Sequence, residues 1–188
     1  MNMKATIEDL KTLTGYTDRD PVILQATAAK TLPWQEEVTQ IFYDTLYGYS
    51  PTRAVFSDDE RPAREKTLAN WYSRVARGEI DDAFWEWQWF VGLVHIKRGI
   101  SNSFMLGMMS RVQLVFRANC FEAFPPEKAE VIFGAFKRVT DIIAGLIAEG
   151  YFESYVLAME KTSGQSRILI DRMVGLEVDD MIQQARSR

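Results

Sequence analysis

The stretch DDAFWEWQWFVGLVHIKRGI, residues 81–100, decides how the rest of the chain is read. It carries three of the five tryptophans (Trp85, Trp87 and Trp89) and the only histidine, His95. Its length suits about five helical turns. Asp81 stands where an N-cap belongs, and Asp82 suits the positive end of the helix dipole. Lys97, Arg98 and Gly99 suit the opposite end. On such a helix Gln88, Val91, Gly92, His95 and Arg98 or Gly99 share one face. Gly92 leaves a small gap beside the imidazole, with large apolar groups on either side. A flat apolar cofactor fits that description, its metal over His95.

Two readings of His95 stand side by side. On local chemistry alone, a lone helical histidine is more often a hydrogen-bonded structural residue or a surface residue than a ligand. A zinc site needs three or four ligands, and the chain has one histidine and one cysteine, Cys120, without a CxxC partner. Haem iron needs only one axial ligand from the protein, because the macrocycle supplies four nitrogens. If His95 binds metal, haem is the economical group.

Outward from this stretch nearly every segment has a helical period, and no strand alternation persists. Residues 6–14 read as a short helix capped by Thr6 and closed by Gly15. The segment TDRDPVILQATAAKTL (17–32) has cap-like Asp18 or Asp20 and Pro21 in its first turn, where proline is tolerated. Pro33 opens a helix to about Tyr47, with Val38, Ile41, Phe42, Thr45 and Leu46 on its apolar stripe and Tyr43 about 100° round from Phe42. Gly48 and Ser50-Pro51 break it. The TRAVF that follows is expected to turn Phe56 inward, and SDDERP (57–62) to be a solvated connection. Residues 64–77 form a helix with Leu68, Trp71, Tyr72 and Val75 on one stripe, ended by Gly78.

Residues 102–123 are apolar over more than half the helix circumference, which predicts burial on two sides. After Pro125-Pro126, residues 127–161 form one long helix whose length predicts a projecting or dimer-forming end. Gly164 interrupts, and residues 167–185 make a final amphipathic helix with Ile170, Met173, Val174, Met181 and Ile182. The fold class is all-α.

The totals narrow the function. A chain of 188 residues suits one domain with a sizeable core. Hydrophobic residues at 47% and charged residues at 26% are ordinary for a folded protein, and aromatics at 12% suit either a helical core or the lining of a flat ligand's pocket. A net charge of −4 leaves no basic footprint for nucleic acid. One cysteine excludes an intrachain disulfide framework and suits a reducing compartment. The N-terminal MNMKATIEDLKTL has no apolar signal core, and the aromatic run 84–96 is too short to span a bilayer. A cytoplasmic protein with no membrane or nucleic-acid partner is expected.

With the segments in order, IFYDTLYGYSPTRAVF (41–56) and DDAFWEWQWFVGLVHIKRGISNSFMLG (81–107) carry a resemblance. The chain resembles the protoglobin and globin-coupled-sensor branch of the globin superfamily, from about residue 6 to residue 160. The second stretch is similar to that family's proximal helix, with a valine-glycine pair before the histidine and an arginine-glycine pair after it. The resemblance implies a globin-like helical sandwich with an extra N-terminal helix. Residues 165–188 add a further C-terminal helix, and 1–188 form a single globin-like sensor domain.

It also implies roles. His95 would be the proximal ligand of haem b. Tyr43 would be the distal hydrogen-bond donor to a bound diatomic gas (O2, CO or NO), with Tyr72 as second choice. Phe42, Phe56, Leu68, Tyr72 and Met108 match pocket-wall positions, beside Val91 and Gly92 on the histidine's own face. The family commonly dimerises through its last two long helices, so a homodimer is implied. A ligating His95 is expected to send its other ring N–H to the Val91 carbonyl, one turn earlier. Arg98 or Lys97 could meet a haem propionate, although a helix C-terminus gives basic residues their own reason to be there.

The family's usual output domain does not follow Arg188, which reads either as a stand-alone globin or as an excised sensor. The final helix could be a connector, a docking element or a cover on its own domain, the last being the expectation. Two other functions stay open. One is a haem-free globin-like signalling module, its cavity filled by Trp85, Trp89, Tyr72 and Met108. The other is haem enzymology such as NO dioxygenation; it ranks last, because no paired acid and base accompany the tyrosines.

Overall fold

The helix that carries His95 forms because local chemistry closes both of its ends. In a computed structural model, which describes residues 3–187, this helix runs Asp82–Arg98. The Asp81 carboxylate accepts the Phe84 backbone N–H at 2.7 Å, an N-cap of the expected kind. At the other end Gly99 takes φ 68°. The Gly99 N–H donates to the Ile96 carbonyl and the Ile100 N–H to the His95 carbonyl, at 3.1 and 3.0 Å. This is a Schellman closure, which a glycine with no Cβ penalty permits.

In chain order the helices are α1 (Met3–Thr14), α2 (Arg19–Thr31), α3 (Gln35–Gly48), α4 (Ser50–Arg53), α5 (Arg61–Ala76), α6 (Asp82–Arg98), α7 (Asn102–Ala123), α8 (Pro126–Ser163) and α9 (Arg167–Arg186). Single 3-10 turns at Leu32–Trp34 and Asp58–Glu60 lead into α3 and α5. There is no strand among the described residues. Most boundaries follow the sequence pattern. Thr6 is an exception: α1 begins three residues earlier and buries Thr6 within it. Asp18 holds the N-cap position of α2 without a side-chain bond, whereas the Asp20 carboxylate accepts the Thr17 N–H at 2.8 Å.

The 38-residue α8 is the support on which the others lean. Helices α1, α2, α6 and α7 pack on it, while α3 packs on α5, α4 and α7. Ile132, Phe136, Val139, Ile143 and Leu146 of α8 are completely buried or nearly so, as expected of a helix apolar on several sides. The buried carboxylate of Asp20 ties α2 to α8 through a two-nitrogen pair with Arg138, its Nε at 3.1 Å. Removing Arg138 would strand the Asp20 charge, whose side chain is 1% exposed, in a place with little water. Helix α7 lies against both α8 and α3, burying Met105, Met108, Val112, Phe116 and Cys120. Leu106 and Leu114 on its other faces stay exposed.

Helices α6 and α8 approach each other closely. A Cβ built on Gly92 would lie 2.6 Å from the Ile147 carbonyl oxygen and 2.7 Å from the Gly150 carbonyl carbon, and closer still to the Tyr151 nitrogen. A Cβ on Gly150 would in turn strike the Trp89 carbonyl. The two helices therefore meet backbone to backbone, with no side chain between them.

The last helix departs from expectation. Helix α9 does not cover its own domain, since Ile170 is its only buried residue among those described. Ile168, Met173, Val174, Leu176 and Met181 are all exposed. What holds its start is Arg167, which donates to both oxygens of Glu153 on α8 at 3.0 and 3.1 Å. An amphipathic period requires an apolar face to be covered by something, and that something need not be the helix's own domain.

Candidate functional site

The apolar interior is divided. A large cluster of buried side chains spans α1, α2, α3, α5, α6, α7 and α8, and a small separate one contains Tyr43, Leu46 and Met108, with Phe42, Tyr47, Phe56 and Leu68 against it. Between them is a cavity of about 280 Å³, at the small end of ligand pockets (roughly 300–1,000 Å³). Its walls come from α3 and α5 on one side and α6 and α8 on the other, with α7 completing it. Met105, Met108 and Met109 line it, and unbranched methionines are the apolar side chains that adjust most readily to a ligand's shape.

His95 lines this cavity. Its Nδ1 is buried and has no hydrogen-bond partner, so the expected bond from the ring to the Val91 carbonyl is not made. Burial pushes the His95 pKa below its ordinary value, which keeps the ring neutral with a lone pair to give. A buried, unbonded ring nitrogen costs free energy unless something meets it. Among the described residues no group of three His, Cys, Asp or Glu side chains could hold a bare metal ion. A metal held at His95 must bring most of its other donors with it.

Tyr43 also lines the cavity and is 7% exposed. Burial raises its pKa to about 12, so the hydroxyl remains protonated and can donate. Its ring packs against Phe42 and Tyr47, and the Tyr47 hydroxyl is spent on the Ser57 carbonyl at 2.8 Å.

The structure brings Phe42, Tyr43, Phe56, Leu68, Val91, His95 and Met108 to this one cavity. It does not bring two others. Tyr72 is fully buried in the main core, against the stacked rings of Phe116 and Phe136, with its hydroxyl donating to the Thr31 carbonyl at 2.8 Å. It is neither wall nor distal donor. Gly92 does not open a gap for a ligand, because the space beside it is taken by the backbone of α8.

Several lining residues escaped sequence reasoning. Ile143 and Ile147 reach in from α8, and Arg64 from the first turn of α5. Arg64 carried a readable signal, since it sits four residues after Glu60, the spacing of a helical ion pair. The connection expected to be merely solvated does form that pair: the Glu60 carboxylate accepts Arg64 Nε at 2.8 Å and Arg98 Nη1 at 2.9 Å. Chemically, then, the cavity offers a neutral imidazole, a protonated phenol, apolar walls and a cationic rim.

Comparison with known proteins bears on the fold. The family model named Protoglobin matches residues 3–156. A solved structure, the globin domain of the Geobacter sulfurreducens globin-coupled sensor, is similar with a TM-score of 0.71 and 20% sequence identity. The match covers 77% of this chain and 96% of that one. At that identity the likeness speaks for the fold, which is globin-like. No curated protein matches the chain.

Proposed function

Because the chain belongs to the protoglobin family, we propose that it is a haem-binding globin that takes up O2, and with it CO or NO, for sensing or handling these gases. The observation that carries this reading is the buried His95 Nδ1 without a partner, on the wall of an apolar cavity. The residues fit haem b. His95 would be the axial ligand, and Phe42, Phe56, Leu68, Val91 and Met108 would enclose the ring. When bound, haem supplies an iron that takes diatomic ligands reversibly.

The chain's own contribution is to orient, to exclude water and to donate. Tyr43, held protonated by burial, would donate a hydrogen bond worth roughly 1 kcal/mol net, a several-fold gain in affinity. The chain would work in the cytoplasm as one sensor unit, with its globin core over 6–160.

The test is an absorption spectrum of the purified protein, reduced and then exposed to CO. A strong Soret band that shifts with CO is expected. A colourless protein that cannot be loaded with haem would defeat the reading. The haem-free alternative required Trp85, Trp89, Tyr72 and Met108 to fill the cavity. Only Met108 is there; Trp85 and Tyr72 belong to the main core, and Trp89 packs against it.

A homodimer through α8 and α9 is part of the same proposal. Its support is the exposed apolar series Phe152, Tyr155, Leu157 and Met159 on α8, continued by Ile168, Met173, Leu176 and Met181 on α9. Leu176→Glu with Met181→Glu is expected to convert a dimer to a monomer in sedimentation equilibrium, with the haem spectrum unchanged. An unaltered mass would place any self-association elsewhere.

A further inference from the structure

Among the described residues that line the His95 cavity, Arg64 and Arg98 are the only charged ones, and both are cations. They come from different elements, Arg64 from the start of α5 and Arg98 from the last position of α6. Both reach the same oxygen, Oε2 of Glu60, at 2.8 and 2.9 Å. The Arg64 guanidinium also lies over the Phe56 ring, 5.5 Å from its centroid. The side chains of Arg64, Arg98 and Glu60 are 23%, 31% and 35% exposed, which puts all three at the rim. Two guanidinium groups sharing one carboxylate leave a net positive charge beside an otherwise apolar space.

We propose that Arg64 and Arg98 are the acid-binding end of the cavity, and that Glu60 is an internal stand-in which gives them up when a ligand's own carboxylates arrive. This rests on the haem reading above and specifies the ligand's edge: a flat apolar body bearing carboxylates on one side. Guanidinium groups pair with carboxylates through parallel N–H donors. Here one carboxylate engages two of them, so neither guanidinium has its full complement from Glu60. A ligand with two acid groups could satisfy both cations and release Glu60 to water. The stand-in keeps the two cations apart from bare mutual repulsion while the cavity is free, and it links α5 to α6 across the opening.

The test uses the haem-free chain and iron-free porphyrins, so that no bond to His95 contributes. Protoporphyrin IX and its dimethyl ester are titrated separately, with quenching of tryptophan fluorescence as the readout, since Trp71 and Trp87 line the cavity. The free diacid is expected to bind about tenfold more tightly than the ester, the scale of one charge-assisted hydrogen bond. Glu60→Gln should bind the diacid faster and more tightly, with ester binding unchanged. The Arg64→Met, Arg98→Met protein should lose the preference for the diacid while keeping its ester affinity. Equal binding of diacid and ester by the unaltered chain would overturn the assignment and leave the cavity reading standing. So would diacid binding by Glu60→Gln that is unchanged or weaker. If neither porphyrin binds to chain whose circular dichroism shows intact helix, the haem reading falls with it.

Discussion

His95→Gly protein is expected to purify with little or no haem, and to regain it when imidazole is supplied in solution. No other histidine exists in the sequence, and the described residues offer no cluster of three metal-ligating side chains that could take over. The apolar walls would still attract a porphyrin, but burial of an apolar ring does not discriminate iron porphyrin from any other flat apolar body. Removing the imidazole leaves a hole of its own size beside the cavity, and free imidazole has the shape and the lone pair to enter it. Absorption spectra before and after imidazole addition read both effects. If His95→Gly keeps normal occupancy and an unchanged spectrum, the axial assignment is wrong. The helix itself should survive the change, because its ends are closed by Asp81 and Gly99 rather than by the histidine side chain.

Gly92→Ala is the second large effect, and its sign is what makes it informative. In the interior of an ordinary helix, replacing glycine by alanine gains up to about 1 kcal/mol. Here the added methyl would meet the Ile147 carbonyl oxygen, the Gly150 carbonyl carbon and the Tyr151 nitrogen. All of these are backbone atoms within a helix, so none can swing aside as a side-chain tip could. The helices must separate or slide instead, and overpacking of this kind costs about 3 kcal/mol at the severe end of its usual range. For a chain of this size that corresponds to a fall of roughly 6–12 °C in melting temperature. Urea unfolding of the haem-free protein measures it. Gly150→Ala should behave alike, because its methyl would strike Trp89 from the other side. The two costs should fall short of additive in the double variant, since separation at one point relieves both. A neutral or stabilising Gly92→Ala would show that the crossing is not as tight as described.

How much was legible beforehand depended on how local the cause was. The ends of α6 could be read because a cap is a matter of four or five consecutive residues. Tyr43 and His95 could be paired across the cavity only through the family resemblance; nothing in the spacing of residues 43 and 95 brings them together. Gly92 shows where pattern stops. A missing side chain says that something comes close, and the sequence cannot say whether a ligand or a helix does. Tyr72 failed for a related reason. Its stripe marks the inward side of α5, but that side faces both the solid core and the cavity, and the period does not separate the two. Arg64 was hidden in plain view: its pairing with Glu60 has helical spacing, but the second cation, Arg98, arrives from 38 residues further on than Glu60. For α9 the sequence shows the amphipathic stripe but not its partner, because one face is the same whichever surface receives it.

The glycine crossing has a mechanical consequence. Where two helices touch through interdigitated side chains, a small shift of one can be lost in rotamer changes before the other responds. At Gly92 and Gly150 there is nothing of that kind to take up the motion. A tug on the His95 ring that moved its helix would therefore reach α8 without backlash, and α8 runs from the middle of the fold to the residues that anchor α9.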